Sequence, residues 1–130
     1  MPIPCEWFNK MRILTGKFKG KVIKMPKGIR PTQNKVRKAL FDILGDIEGL
    51  SFLELFAGSA SVGFEGVSRG IAELVLAESN YTAQSAIKEN IRLLKLENCK
   101  LYPYEADKAI ELLAREKKQF NIIFLDPPYY

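Results

Sequence analysis

From residue 51 onward, short apolar runs alternate with segments of helical period, and no other feature of the chain narrows its possible folds so much. Ser51-Phe-Leu-Glu-Leu55, Glu73-Leu-Val-Leu-Ala77, Cys99-Lys-Leu-Tyr-Pro-Tyr104 and Phe120 to Leu125 read as strands. Ser59 to Arg69 (ended by Gly70), Tyr81 to Leu96 and Asp107 to Lys117 read as the helices between them. Ala83, Ile87, Ile91 and Leu94 mark the inward face of one helix, and Ala109, Ile110 and Leu113 that of the next. Such alternation gives an α/β fold: a mostly parallel sheet with right-handed crossovers and helices on both faces. Pro103 makes its strand an edge strand or a broken one. Ile122 to Leu125 reads as a strand buried on both faces.

Before residue 46 the pattern differs. Residues 1–10 read as an appendage, and the patterned sequence begins at Met11, which can serve as a start. Arg12 to Thr15 and Phe18 to Met25 flank Gly16-Lys17 and read as a β-ribbon. A loop through Pro31 leads to a helix that Thr32 can cap, with Val36, Leu40, Ile43 and Leu44 on one face and Gly45 past its end. Two units are expected: residues 1–45, an extension holding the ribbon and this helix, and residues 46–130, the α/β core.

Charge follows the same division. The chain carries 20 Lys and Arg against 15 Asp and Glu. Eleven of the basic residues but only two of the acids fall within residues 1–45, and no acid lies between Arg12 and Lys38. A basic arm on a mildly acidic body points to a polyanion, most simply a nucleic acid, with Arg12, Lys17, Lys19, Lys21, Lys24 and Lys27 as candidate contacts. Lysines also protect ribbon edges from aggregation, which is the structural alternative.

At 130 residues the chain has the length of one domain. It has no histidine, so a Ser-His-Asp triad and a Cys-His pair are unavailable, and no metal site is expected. Cys5 and Cys99 lie far apart and read as reduced thiols. There is neither an apolar stretch of membrane-spanning length nor a signal-peptide pattern, which fits a cytoplasmic protein without membrane contact.

The chemistry collects at strand ends. After Leu125 come Asp126, Pro127, Pro128 and Tyr129. The prolines cannot continue a central strand, so these residues form a rigid loop at a strand's carboxyl end, where open α/β sheets bind ligands. A carboxylate and a proline carbonyl can accept hydrogen bonds from an exocyclic amine on a flat base, and Tyr129 can stack on its ring. Phe56-Ala-Gly58-Ser-Ala-Ser-Val-Gly63 forms a glycine turn before a helix, but it is neither the dinucleotide fingerprint nor a P-loop. Glu54 lies beside that turn, Glu78 ends the second strand and Asp107 follows the third. With Asp126 they make an acidic crevice, poor for pyrophosphate and suited to a cationic ligand carrying a ribose and an amino acid amine, such as S-adenosylmethionine.

The chain resembles the RsmD family of bacterial 16S ribosomal RNA guanine-N2 methyltransferases. The likeness runs through Met11-Arg-Ile-Leu-Thr-Gly-Lys-Phe-Lys-Gly20, Gly28-Ile-Arg-Pro-Thr32, Val36-Arg-Lys-Ala-Leu-Phe41, Leu55-Phe-Ala-Gly-Ser59, Ser68-Arg-Gly70 and Phe124-Leu-Asp-Pro-Pro-Tyr129. The resemblance implies a Rossmann-like class I S-adenosylmethionine-dependent methyltransferase. Arg30 to Thr32 would close over the cofactor, and Glu54, Phe56, Ala57, Gly58 and Ser59 would form the turn at its methionine side. Glu78 would hold the ribose and Ala106 and Asp107 the adenine, with Ser79 also among the cofactor-binding residues. Asp126, Pro127, Pro128 and Tyr129 would hold the target amine. Two positions depart from the family pattern: Glu54 stands where Asp is usual, and Ala60 where a glycine is usual. Either implies weaker cofactor binding.

The function so implied is methyl transfer to the exocyclic N2 of a guanine in 16S RNA, free or in the 30S particle. Adenine-N6 methylation of DNA or RNA uses the same amine chemistry and is the alternative, as is an RNA-binding fragment without activity. The seven-stranded sheet usual for such enzymes continues past the strand at 122–125. That edge is therefore expected to need further strands or a second chain, with weak or no transfer from these residues alone.

Overall fold

The computed structural model describes residues 10–29 and 32–127. Arg30, Pro128, Tyr129 and Cys5, named above, lie outside the described residues. Two short antiparallel strands, β1 (Lys10–Arg12) and β2 (Val22–Lys24), form the ribbon, pairing Met11 with Ile23. The strands lie further from the Gly16 turn than the sequence pattern placed them. Helix α1 (Asn34–Leu44) follows, then β3 (Ser51–Leu55), α2 (Ser61–Ser68), β4 (Glu73–Ala77), α3 (Tyr81–Leu93), β5 (Cys99–Tyr102), α4 (Ala106–Arg115) and β6 (Ile122–Leu125). The sheet is parallel, in the order β5-β4-β3-β6. The chain steps outward from β3 to β4 to β5, then returns to the other side of β3. That reversal opens a crevice at the carboxyl ends of β3 and β6, the switch point where such sheets bind ligands.

Alternation along the strands sends side chains to two cores. Phe52, Leu74 and Leu76 pack with Phe64, Ile87, Phe41 and the ribbon's Met11, Ile13 and Ile23. Leu53, Leu55, Val75 and Ala77 pack with Tyr102 and with Ala109 and Leu113 of α4. Helices therefore cover both faces, as expected, and β5 is an edge strand. Residues on β6 depart from expectation. Ile122 and Phe124 are half-buried on the first face, but Ile123 and Leu125 are 60% and 58% exposed, because α4 does not reach that side. β6 is thus the second edge of the described sheet, apolar and open on one face.

Helix α1 corrects the sequence reading most. Thr32 does not cap it: Gln33 occupies that position without a side-chain cap. Val36 and Ile43 are 53% and 82% exposed, while Arg37 and Phe41 are buried. The helix is rotated so that the Arg37 guanidinium reaches the buried carboxylate of Glu65, 3.4 Å away. Ile110 of α4, also placed inward by its pattern, is 48% exposed.

Candidate functional site

A cavity of about 850 Å³ opens at the carboxyl ends of the strands, within the usual size of small-molecule sites. It brings together Thr32, Glu54, Phe56, Ala57, Gly58, Ser59, Glu78, Ser79, Ala106, Asp107, Asp126 and Pro127, all singled out from the sequence. Ile29, Tyr104, Glu105 and Phe124 also line it and were missed. Tyr104 and Glu105 carried a readable signal, since they follow directly on a strand's end.

The glycine turn is built for close approach. Gly58 adopts φ 58° and its N–H donates to Glu78 Oε1 at 2.7 Å. Glu78 Oε2 accepts from the Asn80 N–H at 2.9 Å. Asn80, not Glu78, caps α3, accepting from the Ala83 N–H. Both Glu78 oxygens are thereby oriented, and the residue lines the cavity. Ala60 does not touch the cavity. It lies fully buried in the first core with φ 59°, so its methyl group does not crowd a ligand.

Glu54 is 3% exposed at the cavity floor. Its extra methylene carries Oε1 to the Gly63 N–H of α2, 2.9 Å away. Burial raises its carboxyl pKa, the Gly63 bond lowers it, and the negative charges of Asp126 and Glu78 raise it again, leaving it at about 8. Five acids line the cavity, and no Lys or Arg among the described residues does. Such a surface repels phosphate and attracts a cation. Among the described residues no group of side chains is arranged to hold a metal ion.

None of the candidate RNA contacts lines this cavity. Arg12, Lys17, Lys19, Lys21, Lys24 and Lys27 are all exposed. The ribbon's turn is pinned to the end of α2: the Lys17 N–H donates to the Ser68 carbonyl at 2.8 Å, and a Cβ on Gly16 would stand 1.9 Å from that same oxygen. Lys17 and Phe18 border Ala72, Asn98 and Cys99, at the amino ends of β4 and β5. Lys17 therefore lies near the sheet's amino end, about 17 Å of strand from the cavity, and Lys27 stands two residues before Ile29, which lines the cavity. Arg37, part of the same acid-free stretch, is buried and presents no charge to a partner.

The chain matches the family described as Conserved hypothetical protein 95 over residues 11–130. It is 32% identical over 124 residues to Ribosomal RNA small subunit methyltransferase D of Escherichia coli K12, covering 93% of this chain and 61% of that protein. It is 36% identical to the solved structure of the hypothetical protein TTHA0928 of Thermus thermophilus, with a TM-score of 0.82 over 92% of this chain and 70% of that one. The solved structure of "Putative methyltransferase yhhF" of Escherichia coli also aligns with a TM-score of 0.82 at 33% identity, covering 93% of this chain and 66% of that one. The fold is that of the class I S-adenosylmethionine-dependent methyltransferases. The chain belongs to the Conserved hypothetical protein 95 family, which is the RsmD family its motifs resemble. It spans about three fifths of the length of the Escherichia coli relative. No helix among the described residues is long and apolar enough to cross a membrane.

Proposed function

We propose that these residues form the cofactor-binding part of an S-adenosylmethionine-dependent methyltransferase acting on the exocyclic N2 of a guanine in 16S ribosomal RNA, free or within the 30S particle. One observation carries the reading: a switch-point crevice lined by five acids and no described cation, with Asp126 and Pro127 at its rim. The group fits the residues present. A buried carboxyl, an oriented Glu78 and open aromatic edges at Phe56 and Tyr104 suit an amine, a ribose and a flat base. Family membership, and the names of the relatives, support the same chemistry on ribosomal RNA.

When bound, the cofactor supplies an electrophilic methyl group on a sulfonium. The chain's part is positioning. Asp126 and the Pro127 carbonyl accept the two N–H bonds of the target amine and turn its lone pair toward the methyl group. Tyr129 holds the extruded base by stacking. The ribbon lysines grip phosphates and set the RNA's register without reading sequence. This role for residues 1–45 keeps them as a working unit beside the core, in a cytoplasmic protein.

Labelled methyl transfer, run with the chain in excess over naked 16S RNA, assembled 30S particles or DNA, tests the proposal. Slow transfer giving N2-methylguanosine is expected, because the open face of β6 leaves the substrate side uncovered by these residues. Asp126→Ala should remove transfer and keep most cofactor affinity. N6-methyladenine as the product would move the substrate assignment. RNA binding with neither cofactor binding nor transfer would make the chain an RNA-binding fragment.

A further inference from the structure

A second cavity, of about 630 Å³, opens at the amino ends of β4 and β5, between the ribbon's turn and the loop that joins α3 to β5. Its floor is apolar: Phe18, Val67, Ile71, Leu94 and Leu96 form it, with the Cys99 thiol, which burial pushes up to about 12 and so keeps neutral. Two exposed lysines border it, Lys17 from the turn and Lys95 from the loop, and the exposed Asn98 also lines it. Glu97 is the one acid among the described residues that do so. The walls are fixed before anything binds. The Phe18 N–H donates to Ser68 Oγ at 2.9 Å and the Lys17 N–H to the Ser68 carbonyl at 2.8 Å, which clamps the turn to the end of α2. Lys95 holds φ 54°, a left-handed conformation that glycine fills with less strain. Its N–H donates to the Arg92 carbonyl, and the Leu96 N–H to the Ile91 carbonyl, both at 3.1 Å. A lysine in that place gives up backbone stability and sets a cation at the cavity's mouth.

An apolar floor between two ammonium groups fits a ligand that is flat and uncharged at its centre and anionic at its ends, and a nucleotide within a strand is such a ligand. We propose that this cavity holds one unpaired nucleotide of the RNA substrate, its base against Phe18, Leu94 and Leu96 and its flanking phosphates on Lys17 and Lys95. The inference rests on the reading of the chain as an RNA methyltransferase and adds a place where the RNA is held by a base and not by phosphates alone. The Lys17 ammonium stands 5.4 Å over the Phe18 ring, so this flexible side chain can turn to a phosphate as a base takes its place on the ring. The Asn98 amide, both donor and acceptor, suits a base edge. From Lys17, which borders this cavity, the chain runs to Ile29, which lines the acidic crevice, and residues 17–29 carry five lysines and no acid. One RNA strand following that segment reaches both places, which lie about 17 Å of strand apart. A duplex keeps its bases stacked and paired and offers none to the floor. An anchor at that distance helps set which nucleotide arrives at Asp126.

Fluorescence anisotropy with a short unpaired RNA oligomer, and with the same oligomer made abasic, separates base from phosphate. Phe18→Leu should weaken binding of the unpaired RNA about fivefold or more, through the lost base–aromatic stack, and leave binding of the abasic oligomer within about twofold. Lys95→Gly should weaken binding of both and reduce the salt slope by about 0.7 for the lost phosphate contact. Its urea midpoint should stay level or rise, since glycine relieves the left-handed turn, which a merely structural lysine would not combine with lost affinity. Irradiation of the complex with RNA carrying 4-thiouridine should cross-link the base to the peptide holding Phe18 or to the one holding Cys99. If Phe18→Leu fails to fold, Lys95→Gly and the cross-link decide. Affinity for the unpaired RNA equal to that of the wild type in both variants overturns the inference alone, as does an equal loss on the abasic oligomer from Phe18→Leu or cross-linking confined to other peptides. Loss of 30S binding in both variants with RNA binding unchanged gives the cavity to a protein of the particle and overturns it too. A folded wild type that binds no RNA overturns the RNA substrate reading, and this inference with it.

Discussion

Glu65 and Glu54 are both buried glutamates beside the same sheet, and they are treated in opposite ways. Glu65, on α2, accepts from the Leu14 N–H at 2.8 Å, the Thr15 N–H at 3.2 Å and Arg69 Nε at 3.1 Å, and it faces Arg37. Arg37 in turn donates to the Arg12 carbonyl and to Asn34. Among the described residues Glu54 has a single backbone donor and two acidic neighbours. A carboxylate ringed with donors serves the fold, fastening the ribbon and α1 to the core. A carboxyl left one donor short at the floor of a cavity does nothing for the empty protein and stores a demand for a ligand.

The largest consequence concerns the fastened one. Glu65→Ala should lower stability by about 3–5 kcal/mol, because it leaves Arg37 buried without its counter-ion and strips acceptors from the ribbon's backbone. Urea denaturation measures it. A loss below about 1 kcal/mol would mean that the apolar contacts of Met11, Ile13 and Ile23 hold the ribbon alone.

Glu54 should show the reverse sign. Its carboxyl pKa is about 8 in the folded chain against the ordinary glutamate value of 4.5. Between those values the folded state holds a proton that the unfolded state has lost. Stability therefore falls as pH rises through that window, by up to about 1.4 kcal/mol per pH unit, and levels off above it. Glu54→Gln keeps the Gly63 bond and cannot ionise. The variant should match the wild type at pH 5 and exceed it at pH 8 by on the order of 2–4 kcal/mol. Parallel denaturation curves at the two pH values would break the contrast. A functional group that destabilises the free protein is the expected trade between stability and activity.

Much of this contrast was legible in the sequence, and its other half was not. Glu54, Glu78, Asp107 and Asp126 converge because each sits at or near the carboxyl end of a parallel strand, and strand ends can be read from apolar runs. Glu65 gave no such sign. Its donors Leu14 and Thr15 lie about fifty residues away, and an acid in a short helix reads as solvated. The same blindness turned α1 the wrong way. Val36 and Ile43 fit an apolar face, but the charge on Glu65 claims Arg37, and burial of Arg37 carries Phe41 inward with it. Hydrophobic period finds a core made of carbon and misses a buried ion pair. Asn90, locked to both backbone groups of Lys24 at 2.9 and 2.8 Å, escaped for the same reason.

Gly63 sharpens the comparison at Glu54. A Cβ there would stand 2.8 Å from Glu54 Oε1 and 3.0 Å from a Leu74 methyl. Gly63→Ala should cost about 1–3 kcal/mol through overpacking. The shorter Asp at position 54 withdraws from that contact, so Glu54→Asp combined with Gly63→Ala should cost less than the two changes summed. Full additivity in the cycle would show that Leu74 alone resists the new methyl group.

The smallest effect is expected at Ala60, between the two glutamates at the entrance to α2. The residue holds φ 59° and ψ 26°, a left-handed conformation that a side chain disfavours. Glycine would relieve roughly 1 kcal/mol of backbone strain. Against that, the Ala60 methyl is fully buried in the core with Val62 and Phe64, and its loss forfeits about 0.8 kcal/mol and leaves a small void. Glycine also gives the unfolded chain more freedom to lose. These opposed contributions should leave Ala60→Gly within about 1 kcal/mol of the wild type. Because the methyl points into the core and not the cavity, affinity for S-adenosylhomocysteine should change less than twofold. A large gain in affinity would mean that the turn itself relaxes toward the ligand once the methyl is gone, and that the alanine restrains the crevice after all.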